Sequence, residues 1–153
     1  MSGRTGPGPV TIAALQAALA AEHAAIYGYG VAGAYLTGTG RATATSDWLA
    51  HQVTRDTLEA MLRARGAKPV AAAAGYQLPA AVRTPAEAAQ LAVILEDRVA
   101  VAYLGLVALS EASIRRFGAE QLQASAVRAA AWRGSTVAFP GLPASLLAAP
   151  RHV

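Results

Sequence analysis

Apolar residues recur at intervals of three and four along most of this chain, the spacing of one face of an α-helix. The first such run is Leu15, Leu19, Glu22, Ile26, Tyr29, Gly33 and Leu36. It predicts a helix capped by Thr11 and running to about Thr37, where the turn Gly38–Thr39–Gly40 stops it. A second stripe, Trp48, His51, Arg55, Leu58 and Leu62, predicts a helix that opens near Ser46–Asp47 and ends at Gly66, with Pro69 blocking continuation. Only about eight residues separate these two helices, so they are expected to be antiparallel neighbours.

From Ala67 to Arg83 the periodicity lapses into Pro69, the Ala71–Ala74 run, Gly75 and Pro79. At about 3.3 Å per extended residue, this segment spans a helix of about 25 residues rising about 1.5 Å each, which leaves the second and third helices parallel. Thr84–Pro85–Ala86–Glu87 then supplies a capping box with proline in the first turn. The third helix is predicted to reach about Phe117, bending near Gly105 or Ser110, and it is apolar on nearly every side. Gly118 marks a break before the fourth and shortest helix, Ala119 to about Arg133. The apolar but turn-rich stretch Thr136–Leu142 is expected to pack back over the helices. The expected fold is therefore all-α: a four-helix bundle of two antiparallel hairpins joined by a long crossover at about 67–84. The bundle is assigned to residues 11–142, between a disordered tail at 1–10 and a C-terminal tail at 143–153.

Composition changes this picture little. A length of 153 residues, 54% hydrophobic and 14% charged, fits one domain of closely packed helices. The longest uncharged runs contain glycine or proline and polar residues, so no membrane span or membrane partner is expected. Met1–Pro9 lacks the basic-then-apolar pattern of a signal peptide. The chain has no cysteine, which excludes disulfides, thiol catalysis and cysteine metal sites, and the cytoplasm is the default compartment. The net charge of +4 comes from arginines scattered along the chain. The small clusters Arg63–Arg65–Lys68 and Arg115–Arg116 fall at predicted helix ends, where cations favour the negative pole of the helix dipole, and no nucleic-acid partner is expected.

The chemistry lies in the carboxylates. Glu22 is followed seven residues later by Tyr29, and Glu96 by Tyr103. Seven residues is two helical turns, so each pair shares a face, and Glu22 stands in the middle of an apolar stripe. A carboxylate there is costly unless something pairs with it. Two such acids, one in each half of the chain, predict two hairpins facing each other across a shared polar centre.

The paired Glu-x6-Tyr motifs resemble the ferritin-like superfamily over residues 11–133. The phrases Glu22–His23–Ala24–Ala25–Ile26–Tyr27–Gly28–Tyr29 and Thr136–Val137–Ala138–Phe139–Pro140–Gly141 are similar to a ferritin-like branch of high-GC bacteria whose role is unknown. The resemblance implies a site between the helix pairs at which the equivalent glutamates bind two iron ions. Such members also carry a Glu-x-x-His on each of helices two and four, whereas here no glutamate has a histidine three residues later. The matching positions offer His51-x-x-Thr54 and Ser125-x-x-Arg128.

The reading adopted is a metal-free polar core, with Glu22 and Glu96 paired to Arg55, His51 and Arg128, and Arg98 as another arginine within reach of the centre. Tyr29 and Tyr103 would satisfy the buried acids through their hydroxyls. No cofactor is expected on this reading, which makes the protein a homodimeric binding or structural module. One alternative is an iron- or manganese-dependent oxidase or metal store using Glu22, His51 and Glu96. Another is a small-molecule binder at the polar centre.

Three further signals resolve toward structural roles. Gly28, Gly30 and Gly33 match the dinucleotide fingerprint G-x-G-x-x-G, but no strand precedes them, so they predict close helix–helix packing. His23 lies off the stripe and is expected at the surface or a dimer contact. Ser110, Ser113 and Ser125 lack the histidine-and-acid context of a nucleophile.

Overall fold

The computed structural model describes residues 8–142. The assigned C-terminal tail and most of the N-terminal one lie outside the described residues. Among those residues the chain is all-helical, with no strand: α1 Pro9–Ala34, α2 Gly38–Ala64, α3 Pro85–Val107 and α4 Ala112–Arg133. Pro9 and Val10, assigned to the tail, belong to α1, where Pro9 occupies the first turn and no helical N–H partner is lost.

α1 packs against α2 and α3, and α3 packs against α4. Two apolar clusters form the interior. One gathers Leu15, Leu19, Leu58, Leu62, Leu106 and Ile114 with the ring of Tyr103; the other gathers Ala32, Leu36, Ala88, Leu91 and Leu95 with the ring of Tyr29. By length and composition alone α1 could cross a membrane. Its apolar character also meets a packing demand, because it buries nine residues, the acidic Glu22 among them.

The structure corrects two helix boundaries. α2 begins at Gly38 rather than near Ser46, leaving only Tyr35–Thr37 between α1 and α2. Gly38 takes a left-handed φ of +54°, which reverses the chain and opens the helix at once. The threonines that follow join the helix, with the hydroxyls of Thr43 and Thr45 donating to the carbonyls of Thr39 and Arg41 at 3.0 and 2.9 Å. The break between α3 and α4 falls at Ala108–Glu111 rather than at Gly118. There the guanidinium of Arg115 donates to the carbonyls of Ser110 and Leu109 at 2.8 and 3.4 Å, and Arg65 reaches Glu111 at 2.5 Å.

Gly118 instead sits buried inside α4. A Cβ there would lie 2.7 Å from the Leu106 Cβ and 3.1 Å from the Val107 nitrogen. Gly28 has the same role in α1, since a Cβ would meet Leu95 Cδ1 at 2.6 Å. Gly30 and Gly33 do not, because a Cβ at either would meet nothing within 4 Å.

The start of α3 shows the full capping box, with the Glu87 N–H donating to Thr84 Oγ1 and the Thr84 N–H to Glu87 Oε2, both at 3.1 Å. The crossover is tied to α1 at several points. Gln16 bonds both the Lys68 carbonyl and the Val70 N–H, and His23 Nε2 lies 3.1 Å from the Val70 carbonyl. His23 is therefore a buried anchor for the crossover rather than a surface residue. Beyond α4, Gly141 seats against α3, where a Cβ would meet Leu104 and Ala100, while Val137, Phe139 and Leu142 keep 42–56% of their surface exposed.

Gly118→Ala is expected to destabilise the protein by about 1–3 kcal/mol, because its clash is with backbone and Cβ atoms that cannot swing away. Gly105→Ala on α3, where a Cβ meets nothing within 4 Å, should be neutral or stabilising by up to about 1 kcal/mol. Urea unfolding of the two variants measures the difference, and equal midpoints would contradict the close approach at Gly118.

A buried centre of two carboxylates, a histidine and an arginine

Between the two apolar clusters lie Glu22 from α1, His51 from α2 and Glu96 from α3, with side chains 1%, 0% and 0% exposed. The ring of His51 stands between the acids, with Nδ1 2.6 Å from Glu22 Oε2 and Nε2 3.0 Å from Glu96 Oε1. An ionised carboxylate only accepts hydrogen bonds, so a ring bonded to one at each nitrogen must carry two protons and a positive charge. Burial opposes that charge, but the bonds to Glu22 and Glu96, and the charges of both acids, outweigh it. They raise the His51 pKa to about 9.

The two tyrosines cross over. Tyr103 of α3 donates to Glu22 Oε1 of α1, and Tyr29 of α1 donates to Glu96 Oε1 of α3 at 2.7 Å. Burial, together with the neighbouring carboxylate charge, pushes both phenols far above their ordinary value, so both remain protonated donors.

Arg128 enters from α4. Its Nε donates to Glu96 Oε1 at 2.8 Å and its Nη2 to Ser125 Oγ at 3.3 Å. Burial opposes its charge and Glu96 more than restores it, so its pKa rises. In return, burial would raise the pKa of Glu96, but hydrogen bonding and charge from His51 and Arg128 hold it below the usual carboxylate range. Glu22 and Glu96 thus face the basic groups of His51 and Arg128.

Of the residues expected here, the structure brings together Glu22, Tyr29, His51, Glu96, Tyr103 and Arg128. It does not bring Arg55. That guanidinium turns outward and pairs with Asp56 at 2.8 Å, because its helical position lies at the edge of the inward face and a carboxylate stands beside it in water. Arg98 is exposed.

Asp47 belongs to the cluster although it reads as a helix cap. It is buried, and its Oδ2 accepts from Trp132 Nε1 at 2.8 Å and from the Tyr29 hydroxyl at 3.3 Å. Burial raises its pKa, and the charge of Glu96 adds to the rise. One signal could have found it: Asp47 stands four residues before His51, on the same face of α2 once the helix begins at Gly38. Ser125, which the sequence places three residues before Arg128 on α4, is buried and accepts from it.

Holding a metal ion requires lone pairs that converge on one point. Here they diverge, since the His51 ring separates the two acids and spends a nitrogen on each. Both oxygens of Glu22 accept hydrogen bonds, and the Arg128 cation lies against Glu96. Glu96 Oε2 is buried without a hydrogen-bond partner, so one oxygen remains for a further donor. Among the described residues, no group of three or more His, Asp or Glu side chains is arranged to hold a metal ion.

Comparison with known proteins gives a consistent but silent picture. The sequence matches the family described as "Domain of unknown function (DUF4439)" over residues 14–144. The fold is similar to the crystal structure of a conserved hypothetical protein, rv2844, from Mycobacterium tuberculosis. The two share 41% sequence identity and a TM-score of 0.81 over 84% of this chain and 98% of that one. No match was found among curated proteins.

The pH dependence of stability follows from the centre. The raised pKa of His51 adds stability that is complete below its ordinary value of 6.5 and lost as pH rises through about 9. The lowered pKa of Glu96 adds stability that is present above 4.5 and lost as pH falls through its folded value. Stability should therefore be greatest in mildly acidic solution and decline toward pH 9 and beyond, by about 3 kcal/mol from His51. Urea unfolding on either side of that window should show the decline in the natural protein and its absence in His51→Gln; an identical pH profile in the two would contradict the charged ring.

Proposed function

The chain belongs to this family of unknown function, and we propose that it is a ferritin-like helical module in which an internal ion-pair network occupies the place of a metal centre. On this reading it binds or scaffolds rather than catalyses.

The order of contacts supports the ferritin-like arrangement. As residue numbers rise along α1 they fall along its partners: Gln16, Glu22 and Tyr29 meet Lys68, His51 and Asp47 on one side, and Glu22 and Tyr29 meet Tyr103 and Glu96 on the other. α2 and α4 are opposed in the same way, through Asp47 with Trp132 and Thr54 with Gln121. Two antiparallel hairpins joined by the crossover, with α2 and α3 parallel, satisfy all of these pairs.

The metal-free reading rests on one observation: Glu96 Oε1 accepts from Tyr29, His51 and Arg128 together. A guanidinium and an imidazolium there supply the positive charge that a cation would otherwise bring. The competing reading, an iron or manganese oxidase or store on Glu22, His51 and Glu96, draws on the unpartnered Glu96 Oε2. A single free oxygen beside two cations is a poor ligand set. Self-association is part of the proposal, supported by Leu49 and Val53, exposed one turn apart on α2.

Purified protein is expected to carry no stoichiometric iron or manganese, and added iron(II) should leave its melting temperature unchanged. Bound metal that disappears in Glu22→Gln/Glu96→Gln would overturn the reading. Arg128→Met should destabilise by about 3 kcal/mol or more in thermal or urea unfolding, because it leaves a buried carboxylate without its cation. Sedimentation is expected to show a dimer at micromolar concentration; a monomer would remove that part alone.

A further inference from the structure

Gly30 and Gly33 stand in the last turns of α1, where glycine is a weaker helix former than alanine. No neighbour requires them to be glycine, since a Cβ at either position would meet nothing within 4 Å. What their missing side chains leave is space. They line a cavity of about 260 Å³ between the C-terminal turns of α1 and the first turns of α2.

Facing them, α2 contributes Arg41, Ala44, Thr45 and Trp48, one helical face at spacings of three and four. That face exists because α2 begins at Gly38, well before the sequence pattern announces it. Tyr29 also borders the cleft, but it is buried and its hydroxyl is committed to Glu96, so it forms part of the packing beneath.

Arg55, Arg63, Arg65, Arg128 and Arg133 each pair with an acid. Among the described residues Arg41, like Arg83, Arg98, Arg115 and Arg116, pairs with no carboxylate, and Arg41 is the one of these that lines the cleft. A guanidinium beside a cleft lined by a half-buried tryptophan has a definite chemical complement. It is a flat apolar body carrying one carboxylate, held by the fork of the guanidinium and stacked on the indole. The size agrees: a dry cavity of about 150 Å³ accepts benzene, so 260 Å³ holds one ring with a short substituent.

We propose that this cleft binds a small aromatic monocarboxylate, with Arg41 taking the carboxylate, Trp48 the ring, and Gly30 and Gly33 the room. The proposal goes beyond the metal-free centre and does not rest on it, because no residue of the cleft would be a metal ligand.

Benzoate serves as the probe and benzamide as its uncharged counterpart, added to isotope-labelled full-length protein and followed by two-dimensional NMR. Benzoate should shift the Gly30 and Gly33 amides and the Trp48 indole N–H saturably. Arg41→Gln should weaken binding about tenfold or more, and benzamide should bind the natural protein correspondingly weakly. Gly33→Leu should abolish the shifts while keeping the natural helical circular dichroism, since the added side chain has open space to enter. The proposal is overturned if benzoate moves none of these signals, if the shifts persist in Gly33→Leu, or if benzamide and Arg41→Gln behave like benzoate and the natural protein.

Discussion

The protonated ring of His51, held between two buried carboxylates, is the interaction on which the interior depends. Glu22 and Glu96 come from different helices, and burying both in ionised form side by side requires an intervening cation. His51 supplies that cation with one N–H for each acid, while Arg128 adds a second charge on Glu96. The tyrosines complete the arrangement by crossing between α1 and α3, so that each carboxylate is bonded by the helix opposite its own. All four helices contribute, and the apolar clusters on either side keep water from competing. Removing one member leaves a partner charged and unsatisfied, which is why such networks fix one register rather than merely add stability.

Much of this was legible in the sequence, because the signals are local. The capping box at Thr84, the apolar stripe around Glu22 and the repeat of Glu-x6-Tyr each need only a helical period to interpret. The failures come where local signals are ambiguous. Gly38–Thr39–Gly40 has turn composition, yet one glycine makes the turn and the rest joins α2. Gly118 reads as a break, yet its value is the absence of a side chain against Leu106. By sequence Arg55, on the inward stripe one turn after His51, is the stronger candidate, and Arg128 is a further arginine within reach. Only the packing decides that one meets Asp56 in water and the other meets Glu96 inside. Spacing also cannot tell which acid a tyrosine will reach, so the crossing of Tyr29 and Tyr103 had no sequence signature.

The same early start of α2 links the buried centre to the cleft beside it. Asp47 and Trp48 are neighbours in sequence; one faces the polar network through Trp132 and Tyr29, the other lines the cleft. Tyr29 belongs to both, with its hydroxyl bonded to Glu96 in the centre and its buried side chain bordering the cleft.

The charge on His51 is the most direct test of the whole account. Nitrogen-15 NMR of the histidine ring reads the protonation of each nitrogen separately. At neutral pH the account predicts a proton on both Nδ1 and Nε2, retained until the solution approaches pH 9. A ring that is singly protonated at neutral pH would contradict it, because the two carboxylates would then share no cation between them.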